Sequence, residues 1–172
     1  MKKISILALT LSCVSSFAPA RPALPARTLL RAVANPVNPA VIEMANVQCS
    51  KARDFIEEAE LPDELAALEA VARDETAEQT DIGAKIYELL IVMSLDFQGD
   101  ASTVTMKRVD TPDVFDRDYP GIKEKMTFLY QYGFQLVTNS ILTIDHLKEL
   151  IQQRLCQRMG MTGEQFDEWL DS

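Results

Sequence analysis

Ile82, Ile86, Leu89, Leu90 and Met93 recur at three- and four-residue steps, and from Leu89 to Ser94 the chain is apolar almost all round. A helix with apolar side chains on every side must lie at the centre of a packed core. The spacing predicts such a helix, capped by Thr80 or Asp81, with its stripe running on to Phe97. One-sided helices must then cover it, and both flanks supply them. Asn38-Pro39 reads as a cap followed by proline at the first helical position. Val41, Met44, Val47, Phe55, Ile56 and Ala59 carry an amphipathic helix from there to about Glu60. Leu61-Pro62-Asp63 breaks and restarts the pattern, and Leu65, Leu68, Val71 and Ala72 form a second helix ending near Asp74. Pro120 opens a fourth helix with Ile122, Met126, Leu129, Phe134 and Val137 along one side. Thr143 caps a fifth, striped by Leu147, Leu150, Ile151 and Leu155 and closed by Gly160. Thr162 and Gln165 form a capping box for a short last helix carrying Phe166, Trp169 and Leu170. The fold class is therefore all-α, a bundle of about five to six helices. Gly99, Pro112 and Pro120 interrupt the periodicity with a long acidic loop near 98–120, in which Thr103–Met106 has a short-strand pattern and no evident partner.

The chain ahead of this body has a different composition. Lys2 and Lys3 precede an apolar run from Ile4 to Val14, too short to span a bilayer as a helix, and Ser15-Ser16 follow as small residues for cleavage. Phe17 to Ile42 carries Arg21, Arg27 and Arg31, prolines and hydroxyls, and no Asp or Glu precedes Glu43. An acid-poor, arginine-bearing segment behind a signal peptide reads as a transit peptide. Ser15-Ser16-Phe17-Ala18-Pro19 resembles the Ala-Ser-Ala-Phe-Ala-Pro signature of the bipartite presequences of diatoms and related secondary-plastid algae, with Ser15 in place of the usual first alanine. The resemblance covers only about the first 35 residues. It implies delivery to the plastid stroma, with Phe17 as the sorting residue; a secreted protein is the alternative. The organisation expected is a signal peptide over 1–16, a transit peptide or disordered linker over 17–42, and a single helical domain over 43–172.

Removing residues 1–42 takes five of the 17 basic residues and none of the 26 acids, which changes the net charge from −9 to −14. Such a charge repels nucleic-acid phosphate and anionic lipid, and favours a protein partner with a basic surface. No membrane span is expected; peripheral association with a thylakoid complex remains open. The Leu155–Leu170 stretch has the apolar-glycine-apolar spacing of a helix-turn-helix. Its second helix, however, carries Glu164, Asp167, Glu168 and Asp171 and no Lys or Arg, so it is not a DNA reader.

Catalytic patterns are missing. His146 is the single histidine, beside Asp145, and no nucleophile elbow, metal-ligand pair or phosphate-cradling loop accompanies it. The aspartates at 96, 100, 110, 113, 116 and 118 fail the calcium-loop test, because from Asp116 the fifth position is Pro120 and the twelfth is Thr127. No catalytic residue, metal ligand or cofactor is assigned. The alternative function is a small-ligand or metal-binding protein, or an enzyme, that closes the acidic 96–120 loop over a pocket holding His146. Cys49 and Cys156 are not in CxxC spacing; they read as two separate thiols, or alternatively as a redox pair if the first and last helices lie side by side. Phe128, Tyr130, Tyr132 and Phe134 place aromatics on more than one side of the fourth helix. Phe128, Tyr130 and Tyr132, with Phe166 and Trp169, are the expected partner-contact surface. The sequence thus points to a non-enzymatic stromal protein acting through protein contacts, such as an accessory or assembly subunit of a photosynthetic complex, or an adaptor.

Overall fold

The computed structural model describes residues 37–99 and 105–172. The presequence expectations over residues 1–36, Phe17 among them, and Asp100 lie outside the described residues; the last part of the expected 17–42 linker does not, since α1 already begins at Pro39 and Val41 is buried. The described chain is all-α apart from one small hairpin. Its elements are α1 (Pro39–Phe55), a 3₁₀ turn (Glu58–Glu60), α2 (Asp63–Arg73), α3 (Gln79–Leu95), β1 (Phe97–Gly99), β2 (Met106–Arg108), α4 (Ile122–Thr138), α5 (Ile144–Leu150), a π-helical segment (Ile151–Cys156), α6 (Gln157–Met159) and α7 (Gly163–Asp171). α5, the π segment and α6 run on as one rod, so the bundle has six helices.

α3 is the central helix that its composition demands. Ile82, Ile86, Leu89, Val92 and Met93 enter one buried cluster with Val41, Ala45, Ala52, Leu65 and Leu68 of α1 and α2. Tyr87, Ile91 and Leu95 enter a second cluster with α4, α5, α6 and α7. Its start differs from expectation: Glu78 is the cap, in a capping box with Asp81, because Asp81 reaches back to the Glu78 N–H at 3.4 Å.

α1 ends five residues before Glu60. Ile56 leaves the helix to make an isolated bridge with Met106, and Pro62 favours extended backbone at Leu61. The strand pattern near Met106 finds its partner in residues assigned by sequence to the end of the α3 stripe. Phe97, Gln98 and Gly99 pair antiparallel with Arg108, Lys107 and Met106. α4 begins at Ile122 rather than at Pro120, because Gly121 takes a left-handed turn (φ 82°) first.

The inner face of α4 is Ile122, Met126, Leu129, Gly133 and Leu136. Phe134 and Val137, expected inside, give way to Gly133 and Leu136. A Cβ on Gly133 would lie 2.4 Å from Leu147 Cδ1 and 2.9 Å from the Tyr87 ring, so the absent side chain is what lets Tyr87 reach α4. There its hydroxyl donates to the Leu129 carbonyl at 2.8 Å. In α5 the inward residues step from Leu150 to Leu155, the five-residue spacing of a π turn. Gly160 (φ 59°) closes the rod, with Met161 N–H to the Cys156 carbonyl and Gly160 N–H to the Gln157 carbonyl, both bonds of a Schellman motif. No helix among the described residues is long and apolar enough to cross a membrane.

Candidate functional site

α4 divides its aromatics between two sides of the bundle. Phe128 and Tyr132, one turn apart, stack with ring centroids 5.9 Å apart. Tyr130 and Phe134 form an edge contact at 5.0 Å and face α5 and α7, where the Tyr130 hydroxyl donates to Asp167 at 3.3 Å. Burial, followed by the Asp167 carboxylate, pushes the Tyr130 phenol up to about 12.

The Phe128–Tyr132 pair walls a groove of about 880 Å³ between α1, α3, the hairpin and the start of α4. Its apolar lining is Leu90, Met93, Phe97 and Met106, and its polar groups come from Gln48, Ser94, Gln98 and Tyr119. Lys51 and Lys125 complete it, and no Asp or Glu among the described residues lines it. Lys125 Nζ donates only to the Ser94 carbonyl at 3.1 Å, and among the described residues Lys51 has no carboxylate partner. Five other cations, Arg53, Arg73, Lys85, Arg154 and Arg158, are each paired with a carboxylate. Lys107, Arg108, Arg117, Lys123 and Lys148 have no ion pair among the described residues either, so what makes the groove locally positive in a chain of net charge −9 is two lysines lining it with no described acid beside them. Phe128 is 53% exposed at its rim. An apolar floor with a few convergent polar groups is the usual make-up of a binding site.

The other expected contact residues are placed elsewhere. Phe166 is fully enclosed beneath Tyr130 and Trp169 and offers no surface, because the short amphipathic α7 turns this ring inward. Trp169 is half-buried, with the Lys123 ammonium over its ring at 5.9 Å. His146 lines a separate cleft of about 400 Å³ with Asp81, Glu88 and Glu149, and none of the described residues of the 96–120 loop lines that cleft. The imidazole and the loop are thus not assembled into one site. His146 Nδ1 is buried without a hydrogen-bond partner. Among the described residues no three His, Cys, Asp or Glu side chains converge as a metal ion needs.

Instead of covering His146, the loop is strapped to α6. Phe115 N–H donates to the Arg158 carbonyl, the Arg158 guanidinium lies 5.6 Å over the Phe115 ring, and Arg158 Nη2 meets Asp96 Oδ1 at 2.6 Å. Cys49 and Cys156 are free, buried thiols in the two different clusters that α3 separates, so the structure does not bring them together. α1 packs on α2 and α3 rather than beside the last helices. Burial raises both thiols above their ordinary value, which disfavours the reactive thiolate.

No protein-family model, no curated protein and no solved structure matches the chain.

Sequence periodicity missed Lys51, Lys125, Gln48 and Tyr119. Each sits on a polar face or in a loop, where spacing carries no signal about what lies opposite. The one hint was Gln48 and Lys51, three apart on the outward side of α1.

Proposed function

We propose that this chain is a non-enzymatic binding protein of the plastid stroma, an accessory or assembly subunit of a larger complex or an adaptor, that docks a protein partner on the Phe128–Tyr132 side of α4. One observation supports it above the others: a stacked aromatic pair, half out in water, bordering an 880 Å³ groove with an apolar floor. Exposed aromatics beside a groove are the usual anchors of protein interfaces. The stromal address is supported by the Ser15–Pro19 resemblance and the acid-free first 42 residues.

A photo-crosslinking phenylalanine analogue at position 128 tests the docking. Phe55, 37% exposed on α1 and outside the groove, supplies the control position. Position 128 is expected to give discrete protein adducts in plastid extract and position 55 none. Equal labelling from both positions would refute docking at the groove. Fusing residues 1–42 to a fluorescent reporter, with and without Phe17→Ala, tests the address: the reporter is expected inside the plastid only with Phe17.

A further inference from the structure

The hairpin beside the groove has one occupied edge and one vacant edge. Val109 N–H donates to the Asp96 carbonyl at 3.0 Å, which marks 96/109 as a hydrogen-bonded pair of the antiparallel ladder. Such pairs alternate, so Gln98/Lys107 is the next, and Phe97/Arg108 and Gly99/Met106 turn their backbone groups away from each other. On the β2 side those outward groups are taken: Arg108 N–H donates to Glu60 Oε2 at 3.0 Å, and Met106 bridges Ile56. On the β1 side no partner faces Phe97 and Gly99 among the described residues. Phe97, Gln98 and Gly99 belong to alternating faces of the strand, yet all three line the groove. β1 therefore borders it along its length, joined by Met106 across the ladder. The face at Gly99 is open too, since a Cβ there would meet nothing within 4 Å.

We infer that the groove's occupant is an extended acidic segment of a partner protein, which adds as a strand to the edge of β1 while Lys51 and Lys125 take its carboxylates and Phe128 and Tyr132 hold an apolar side chain. This rests on the docking proposed above and adds the chemistry of the segment. An unpaired edge supplies sequence-independent main-chain bonds, and the pockets beside it supply selectivity. Charge complementarity sets the sign: among the described residues two ammonium groups without carboxylate partners line a groove with no acid. The small contribution a three-residue edge can make is consistent with side chains doing much of the recognition.

The test is fluorescence anisotropy of rhodamine-labelled peptides with the full-length chain. One probe alternates glutamate with leucine, phenylalanine and tryptophan; its counterpart has lysine at every glutamate. The acidic peptide is expected to bind, with affinity falling as salt rises, and the lysine peptide to give no saturable signal. Lys51→Glu and Lys125→Gln are each expected to weaken the acidic peptide about tenfold. Gly99→Pro removes an outward N–H without touching the β1–β2 ladder, so it is expected to abolish peptide binding at an unchanged melting temperature. Equal binding of the two peptides, or full binding by Gly99→Pro, overturns the inference. So does displacement of a bound dye by oleate with neither peptide binding, which would make the groove a site for small amphipathic anions. A chain that dimerises and loses its dimer on Gly99→Pro would overturn it too, the edge then belonging to a second copy. If the crosslinker at 128 still traps a protein while the acidic peptide fails, the acidic strand is wrong and the docking stands; if neither occurs, both fall.

Discussion

Gly83→Ala separates two contributions of opposite sign. In an exposed helix, alanine for glycine stabilises by about 1 kcal/mol through reduced backbone entropy in the unfolded chain and better helix propensity. Gly83 is buried in α3 under the turn that joins α4 to α5, and a Cβ there would overlap the Ile141 carbonyl oxygen and its carbon, main-chain atoms that cannot rotate aside. The turn is held from several sides. Ile141 and Leu142 N–H both donate to the Leu136 carbonyl, at 2.9 and 3.2 Å, and the Gln79 amide donates to the Ser140 carbonyl at 2.9 Å. Accommodating the methyl requires the turn or α3 to move by roughly 1 Å or more, at an overpacking cost of up to about 3 kcal/mol or beyond. The clash outweighs the propensity gain, and a net loss of about 2 kcal/mol is expected. Gly163→Ala is the control. At the first position of α7 the new Cβ would meet only Gln152 Oε1 at an ordinary 3.6 Å, so a gain of about 0.5 kcal/mol is expected. Urea unfolding followed by circular dichroism reads both as a change in midpoint at constant slope. A Gly83→Ala chain as stable as the parent would show that the α4–α5 turn does not seat on α3 as described.

Four other outcomes are expected. Ser140 closes α4 with a left-handed φ of 57°, so Ser140→Gly should raise stability by about 0.5 kcal/mol in the same urea assay. Arg158→Met breaks the pair with Asp96 and should cost about 1–2 kcal/mol. It should also speed trypsin cleavage after Arg117 in the released strap, and an unchanged cleavage rate would mean that the strap is held elsewhere. Burial first, then Asp167, raises Tyr130 from 10.0 to about 12, and burial raises Tyr87 and Tyr132 as well. The unfolded chain therefore ionises first: this stability is complete below about pH 10 and is lost as pH climbs towards 12, which tyrosinate difference spectroscopy alongside circular dichroism will follow. Under native conditions peptide-mapped alkylation should leave Cys49 and Cys156 unlabelled, and mild oxidation should yield no peptide joining them.

What the sequence made legible was governed by local rules. The Asn38, Thr143 and Thr162 caps, the Gly160 stop and the central place of α3 follow from hydrogen-bonding and periodicity within a few residues. The errors fall where a tertiary contact overrides those rules. Phe97 continues the α3 stripe in sequence, yet it opens a strand because Arg108 lies across from it in the ladder. Phe134 has the spacing of a core residue, yet it is 41% exposed, because the glycine beside it brings Tyr87 against α4 and rotates the inward face by one residue. The candidate site was half legible. Phe128 and Tyr132 stood out as a surplus of aromatics on one helix. Nothing local reports that Lys51 of α1 and Lys125 of α4 line one groove, since they lie far apart in sequence and share no pattern.

Net charge and contact chemistry point to different features of one partner. A chain of −9, or −14 without its first 42 residues, sets up a field that favours approach by a net-positive protein. That field is screened over about 8 Å at physiological salt, so it biases encounter rather than the final fit. Within that distance the described lining of the groove is Lys51 and Lys125 with no acid, so the final fit proposed above selects the opposite sign. A basic partner that offers a short acidic strand satisfies both. It should associate more slowly as salt rises, because steering weakens, while Lys51→Glu should act mainly on dissociation if its ammonium is covered in the complex. A partner basic throughout would be attracted by the field and rejected by the groove, which makes the sign of the bound segment the property that decides between the two descriptions.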